Sequence, residues 1–226
     1  MERKNRNMVY RILAALATGC LVMGLIDAVI QPGYLVKSGL KLLLFLLLPY
    51  LAVYREEPQT MKRLFRWQGV GVWPVVLGFG TFSGILALYF LIGPYFDFSM
   101  VTGALQEELG VNAGNFIFVA LYISFINSLL EEFFFRGLGY LTLRNYISDR
   151  YALGISAMSF AMYHVAMMVG WFRLDLLVLL ISLLTFAGVM LDLFDRRSGN
   201  LYLSWFVHMF ANFAINTVGF LLFGLI

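Results

Sequence analysis

Long apolar stretches, each near the length of a membrane span, alternate with short polar connectors along this chain. A spanning helix needs about 20 mostly apolar residues, and seven segments qualify. They run from about Val9 to Ile30, Gly39 to Tyr54, Gly69 to Gly93, Asn115 to Leu143, Tyr151 to Trp171, Leu174 to Leu193, and Leu201 to Ile226. The second is short. The third carries no charge. The fourth is long and contains Glu131, Glu132 and Arg136. The first segment reads as a helix rather than a cleaved signal peptide. A signal peptide would have an apolar region of about 7–15 residues followed by a small-residue cleavage site; here the stretch is longer and no clear site follows.

Two connectors carry patterns of their own. Between Glu56 and Gln68, Met61, Leu64 and Phe65 share one helical face, with Lys62, Arg63 and Arg66 nearby. That pattern suits a basic helix lying on an anionic leaflet, and equally a solvated basic loop. From Pro94 to Gly114, Val101, Leu105 and Leu109 recur at a spacing of four, which predicts a second interfacial helix. There is no internal repeat and no low-complexity tail. The expected fold is therefore all-α: a polytopic membrane helix bundle of about seven spans, with residues 1–226 forming one membrane domain.

Composition agrees with that pattern. The chain has 226 residues, 61% hydrophobic and 13% charged, against about 45–50% and about 25% in soluble domains. A soluble fold of this length could not hide so much apolar surface, whereas lipid-facing side chains need no hiding. The single cysteine, Cys20, excludes an internal disulfide framework and a cysteine-based zinc site; it reads as a small packing residue. No basic tract interleaved with aromatics supports nucleic-acid binding.

Charge sets the expected orientation, because cytoplasmic loops are enriched in Lys and Arg. With the N-terminus inside, Arg3, Lys4, Arg6 and Arg11 are cytoplasmic, as are Arg55, Lys62, Arg63 and Arg66. Arg136, Arg144 and Arg150 follow, then Arg196 and Arg197. Of the 16 basic residues only Lys37, Lys41 and Arg173 fall outside or near the outer face. The 94–114 connector has Asp97, Glu107 and Glu108 and no positive charge. The expectation is an N-terminus in the cytoplasm and a C-terminus outside.

Ionisable groups inside a bilayer cost roughly 2.5–3.5 kcal/mol each on insertion scales, so they point to function by default. Both histidines of the chain, His164 and His208, lie inside spans, and the only glutamates inside spans are Glu131 and Glu132. At about 1.5 Å per residue, Glu131 and His164 each lie about 20 Å from the cytoplasmic ends of their helices, and His208 about 10 Å from its own. Tilt and boundary error allow the three to meet at one level. Glu132 and Arg136 are four apart and can pair on one face, leaving Glu131 free and pointing about 100° away. Phe160 and His164 share a face, as do His208 and Asn212.

These residues carry a resemblance. Glu131-Glu132-Phe133-Phe134-Phe135-Arg136 fits an EExxxR motif, Phe160-Ala161-Met162-Tyr163-His164 an FxxxH motif, and His208-Met209-Phe210-Ala211-Asn212 an HxxxN motif. In this order, on three helices, they resemble the CAAX-processing and bacteriocin-processing (CPBP, or Abi) family of intramembrane endopeptidases, the type II CAAX prenyl proteases among them. The resemblance implies a four-helix catalytic core, placed here within residues 111–226, preceded by N-terminal helices and loops over residues 1–110. It implies hydrolysis of a peptide bond in a membrane-associated peptide or protein. Glu131 would be the general base and His164 its partner in activating water; His208 and Asn212 would stabilise the oxyanion. Glu132, Arg136 and Phe160 would support them.

A zinc reading uses nearly the same residues. Two histidines, one carboxylate and a water form a common catalytic zinc shell, here Glu131, His164 and His208. The family has been described both as metalloprotease and as metal-free; Asn212, a poor zinc ligand and a good oxyanion donor, favours no cofactor. Duller readings stand beside these. Glu132 with Arg136 is expected to be mainly a structural ion pair, and Phe133–Phe135 to face lipid and the core. Asp27, Asp192 and Asp195 are expected at solvated helix ends. The alternatives in function are a non-proteolytic scaffold or immunity protein, and a proton-coupled transporter. The expected setting is the plasma membrane of a bacterium.

Overall fold

A computed structural model describes residues 2–69, 71–95, 114–168 and 173–226. Every regular element among them is helical. Helix α1 (Glu2–Leu25) runs on through one π-helical turn, Ile26–Ile30. Helix α2 (Tyr34–Tyr54) follows, then the short α3 (Pro58–Leu64) and α4 (Trp73–Ile92). Helix α5 (Phe116–Asn145) is continuous but wound partly as π-helix, over Tyr122–Asn127 and Phe133–Thr142. Helices α6 (Asp149–Met168), α7 (Leu174–Ser198) and α8 (Tyr202–Leu222) complete the bundle.

Six of these helices (α1, α2, α4, α5, α7 and α8) are long and apolar enough to cross a membrane. Their outward residues suit lipid: Leu21 is 73% exposed, Leu35 86% and Phe118 72%. The remaining expected span corresponds to α6, a 20-residue helix that opens on Asp149 and Arg150. It packs against α1, α5 and α7, with Ser156 and Tyr163 turned inward. The protein is thus an all-α polytopic bundle, as the sequence predicts.

Helix α5 is the centre. From Phe133 to Thr142 every side chain is buried. The phenylalanine run does not face lipid, contrary to half of what was expected of it: Phe133, Phe134 and Phe135 are all essentially inaccessible. Phe134 stacks on Phe45 of α2 with centroids 4.1 Å apart, and Phe135 meets Phe160 of α6 edge-on at 5.5 Å. Stacked and edge-on pairs add about 0.5–1.5 kcal/mol beyond area burial. Here they join three helices.

Two boundaries differ from the sequence expectation for one reason. Helix α2 starts at Tyr34, not Gly39, and α7 continues past Leu193 to Ser198. The charges that read as helix-flanking turn into the bundle instead, half-buried at Lys37 and buried at the aspartates. Lys37 pairs with Asp27 at 2.6 Å. Asp192 and Asp195 are fully buried, and Asp27 is buried too, so none of the three is a solvated end. Helix α7 stops at Gly199, whose φ of 68° supplies the left-handed cap that glycine adopts without a Cβ penalty.

The basic connector is a helix, but shorter than its pattern suggested. Leu64 is buried, while Lys62, Arg63, Phe65 and Arg66 are exposed. The segment closes one end of the bundle: the Leu64 carbonyl accepts from the Leu201 amide at 3.0 Å, and the Gln68 carbonyl from Asn200 Nδ2 at 2.9 Å. The expected helix bearing Val101, Leu105 and Leu109 lies outside the described residues.

Helices α6 and α7 approach closely at Gly188. A Cβ there would lie 3.0 Å from the Cα of Ala157 and 3.1 Å from its Cβ. Small residues at such crossings let backbones meet in lipid. Gly188→Val is expected to push the pair apart and cost about 1–3 kcal/mol, the usual penalty of overpacking. Thermal unfolding of the detergent-solubilised variant against wild type checks this.

Candidate active site

The helical repeat of α5 places Glu131 and Glu132 on adjacent faces, and the two carboxylates meet different surroundings. Glu132 is fully buried. Arg136 Nη1 donates to its Oε1 at 3.3 Å, one helical turn away, as the spacing predicts. The same oxygen lies 2.7 Å from Nδ1 of His208 on α8. The ion pair is therefore only part of its role: Glu132 also holds the second histidine.

Arg136, also fully buried, gathers the neighbouring helices. Its Nε is 3.6 Å from Asp192 Oδ1 and its guanidinium lies over the Phe160 ring at 4.1 Å. Ser156 donates to Asp192 Oδ1 at 2.9 Å, and Ser204 donates through its hydroxyl and its amide to Asp195 at 2.6 and 3.1 Å. Helices α5, α6, α7 and α8 are thus cross-linked by one polar network around a single arginine. The sequence reading missed Asp192, Asp195, Ser156 and Ser204, since two aspartates near the end of an apolar run look solvated. Their separation of three residues, which puts both on one face of α7, was the signal available.

Glu131 turns the other way, toward a cavity of about 620 Å³ whose lining includes Glu131, His164, His208 and Asn212. The cavity is otherwise largely apolar, with Ile85 of α4, Phe186 and Met190 of α7, and Val207 and Ile215 of α8 among its walls. Glu131 Oε2 lies 3.7 Å from His164 Nε2 and 3.6 Å from His208 Nε2. The meeting at one level that helix arithmetic allowed is what the structure has. Both separations exceed a direct hydrogen bond and suit a bridging water.

Ring orientation is fixed behind each histidine. His164 Nδ1 donates to the Phe160 carbonyl at 2.7 Å, so its Nε2 presents a lone pair to the cavity. Phe160 packs on the same imidazole at 4.4 Å, on the shared face that the spacing of four implied. His208 Nδ1 donates to Glu132. Asn212, one turn beyond His208, donates to the Ile123 carbonyl at 3.2 Å.

Helix α8 is registered against α5 by a polar stripe. Trp205 Nε1 donates to Ser128 Oγ at 3.1 Å, and Asn216 Nδ2 to Ser124 Oγ at 3.1 Å and to the Ala120 carbonyl at 3.2 Å. With His208 and Asn212 these residues recur at three and four, so one face of α8 binds one face of α5. Trp205 and Asn216 escaped the sequence reading because neither is ionisable.

One residue departs sharply from expectation. Glu131 is not left free. Lys41 of α2, placed by its charge near the outer face, is buried at 4% exposure and donates to Glu131 Oε1 at 2.5 Å. It also donates to Asn127 Oδ1, and Asn127 Nδ2 donates to the same Glu131 oxygen at 2.9 Å. Asn127 precedes Glu131 by one turn, a spacing readable in the sequence; a partner on α2 was not.

Among the described residues, no group of three or more His, Cys, Asp or Glu side chains could hold a metal ion. In the set named for zinc, the Lys41 ammonium occupies Glu131 Oε1, and Oε2 is the oxygen that faces His164 and His208.

Residues 113–214 match the family described as Type II CAAX prenyl endopeptidase Rce1-like. That stretch holds all three motifs, so the resemblance they suggested is borne out there. No curated protein and no solved structure matches the chain.

The network around Arg136 yields a stability test. Removing one partner of a buried ion pair typically costs 3–5 kcal/mol, since the other charges stay buried and uncompensated. Arg136→Met is expected to unfold at markedly lower temperature than wild type. Glu131→Gln breaks one ion pair rather than two and leaves the Lys41 ammonium its Asn127 acceptor, so it is expected to lower the unfolding temperature by less. Parallel melts in one detergent compare the two.

Proposed function

We propose that this protein is an intramembrane endopeptidase that hydrolyses a peptide bond of a membrane-associated peptide or protein with a Glu131-activated water. The observation that carries the reading is the convergence of one carboxylate oxygen and two histidine Nε2 atoms, 3.6 and 3.7 Å apart, on one cavity wall. The match of residues 113–214 to a CAAX prenyl endopeptidase family supports it.

The geometry suits the following chemistry. A water between Glu131 Oε2 and His164 Nε2 donates one proton to each acceptor and directs its lone pair into the cavity. It attacks the carbonyl carbon of the scissile bond, and Glu131 takes the proton released. The carbonyl oxygen becomes an oxyanion within reach of His208 and Asn212. Asn212 has a second amide N–H to offer. His208 serves as a donor when both ring nitrogens carry protons, and Glu132 supplies the counter-charge. Such donors gain strength where water is excluded. Glu131 then passes its proton to the leaving amine, and the C–N bond breaks.

No metal takes part in this scheme. The ammonium of Lys41 supplies a positive charge to Glu131, and a divalent cation beside it would meet Coulomb repulsion at short range. The largely apolar cavity suits a substrate that presents apolar side chains or a lipid group. Positive-inside placement of the basic residues supports a cytoplasmic N-terminus and an external C-terminus, in the cell membrane of a bacterium.

Purified wild type and Glu131→Gln, reconstituted in proteoliposomes with one pool of plain and lipidated peptides, test the proposal. Mass spectrometry is expected to find new fragments from wild type alone, unchanged by a zinc chelator. Equal fragments from both proteins, or none from a folded wild type, would remove the case for catalysis at Glu131. Loss of cleavage on chelation, restored by zinc, would overturn the metal-free scheme.

A further inference from the structure

Lys41 comes from α2, outside the residues that match the endopeptidase family. A lysine buried in a membrane bundle is costly, and this one is not simply neutralised. Its ammonium reaches two acceptors at once, Glu131 Oε1 and Asn127 Oδ1, each at 2.5 Å. Its head lies 4.9 Å from the Tyr163 ring and 5.2 Å from the Phe45 ring. Asn127 closes the triangle by donating from Nδ2 to Glu131 Oε1 at 2.9 Å. The amide can face only one way in this arrangement, oxygen to the ammonium and nitrogen to the carboxylate.

The two oxygens of Glu131 are thereby distinguished. Oε1 accepts from Lys41 and Asn127; Oε2 is the one that stands 3.7 and 3.6 Å from the two histidines. A carboxylate is planar, so holding one oxygen from two directions fixes where the other points. We propose that Lys41, with Asn127, is a positioning residue that clamps Glu131 Oε1 and so aims Oε2 at the water site. The inference rests on the endopeptidase reading and adds to it a group supplied by the N-terminal half of the chain. Lys37, one turn earlier on α2, lies 2.6 Å from Asp27, which leaves Lys41 for Glu131.

The test compares kcat and KM for a peptide that wild type cleaves in proteoliposomes. Lys41→Met keeps the apolar stem and loses the ammonium. It is expected to lower kcat about 100-fold, the scale of a misplaced reacting group, with KM nearly unchanged. A rescue separates aim from packing. The chain has one cysteine, Cys20, so Lys41→Cys is made with Cys20→Ala. Its thiolate displaces bromide from 2-bromoethylamine to give a thioether bearing an ammonium at lysine's reach. Iodoethanol gives the neutral counterpart with loss of iodide. The ammonium adduct is expected to regain most of the lost kcat, and the neutral adduct little of it. Both start from one folded preparation, so the comparison stands even where Lys41→Met fails to fold. Cleavage by Lys41→Met within threefold of wild type, or equal recovery by the two adducts, would overturn the positioning role alone. A wild type that cleaves nothing would overturn the endopeptidase reading and this role with it.

Discussion

A carboxylate carried into a bilayer has to find its partner at its own depth, and the fold of this chain follows from that constraint. Asp27 has Lys37, Glu131 has Lys41, and Arg136 lies between Glu132 and Asp192. Asp195 is held by the hydroxyl and amide of Ser204. Nearly all of these contacts join different helices. Lipid offers little hydrophobic drive for one apolar helix to choose another. Charges and hydrogen bonds supply the choice, because an unmatched polar group inside hydrocarbon is costly. The partners therefore set which helices meet and in what rotation, while the phenylalanines and glycines set how closely.

The same constraint explains what could be read from the sequence. The all-helical class and six of the seven expected spans follow from apolar run length, which needs no knowledge of partners. Depth arithmetic put Glu131 and His164 on one level and, with tilt, allowed His208 to join them although its rise came out about 10 Å shorter. What stayed hidden was every contact whose second member looked like a terminal charge. Lys37 and Lys41 sit at the start of an apolar run, and Asp192 and Asp195 near the end of another, where hydropathy assigns them to solvent. The boundaries of α2 and α7 were misplaced for that reason. A spacing of three or four between like charges on one helix, as in Lys37–Lys41 and Asp192–Asp195, marks an inward face when a complementary group lies in another span.

Adjacent glutamates give α5 two functions at one level. A rotation of about 100° per residue turns Glu132 into the closed network with Arg136 and Asp192, and Glu131 onto the cavity. The first is enclosed in the network, its Oε1 shared by Arg136 and His208; the second keeps one oxygen toward the cavity. The π-helical winding that begins at Phe133 follows directly. Such winding is frequent near functional sites, and here it accompanies a stretch in which ten successive side chains are buried.

His208 connects the two. Its Nδ1 belongs to the network through Glu132, and its Nε2 faces Glu131 across the cavity wall. The imidazole cannot rotate toward a substrate without giving up its bond to a buried carboxylate, and Glu132 cannot move without disturbing Arg136 and, through it, Asp192 on α7. On the opposite side, Lys41 and Asn127 fix the other member of the pair. The two groups that frame the 3.6 Å gap are each anchored from behind by separate sets of charges, drawn from α2 on one side and from α5 and α7 on the other. Preorganisation of that kind is what a reaction excluded from bulk water requires, because the solvent that would otherwise reorient around a developing charge is absent. The charges that hold the fold together in lipid and the charges that aim the candidate catalytic groups are in this chain largely the same residues.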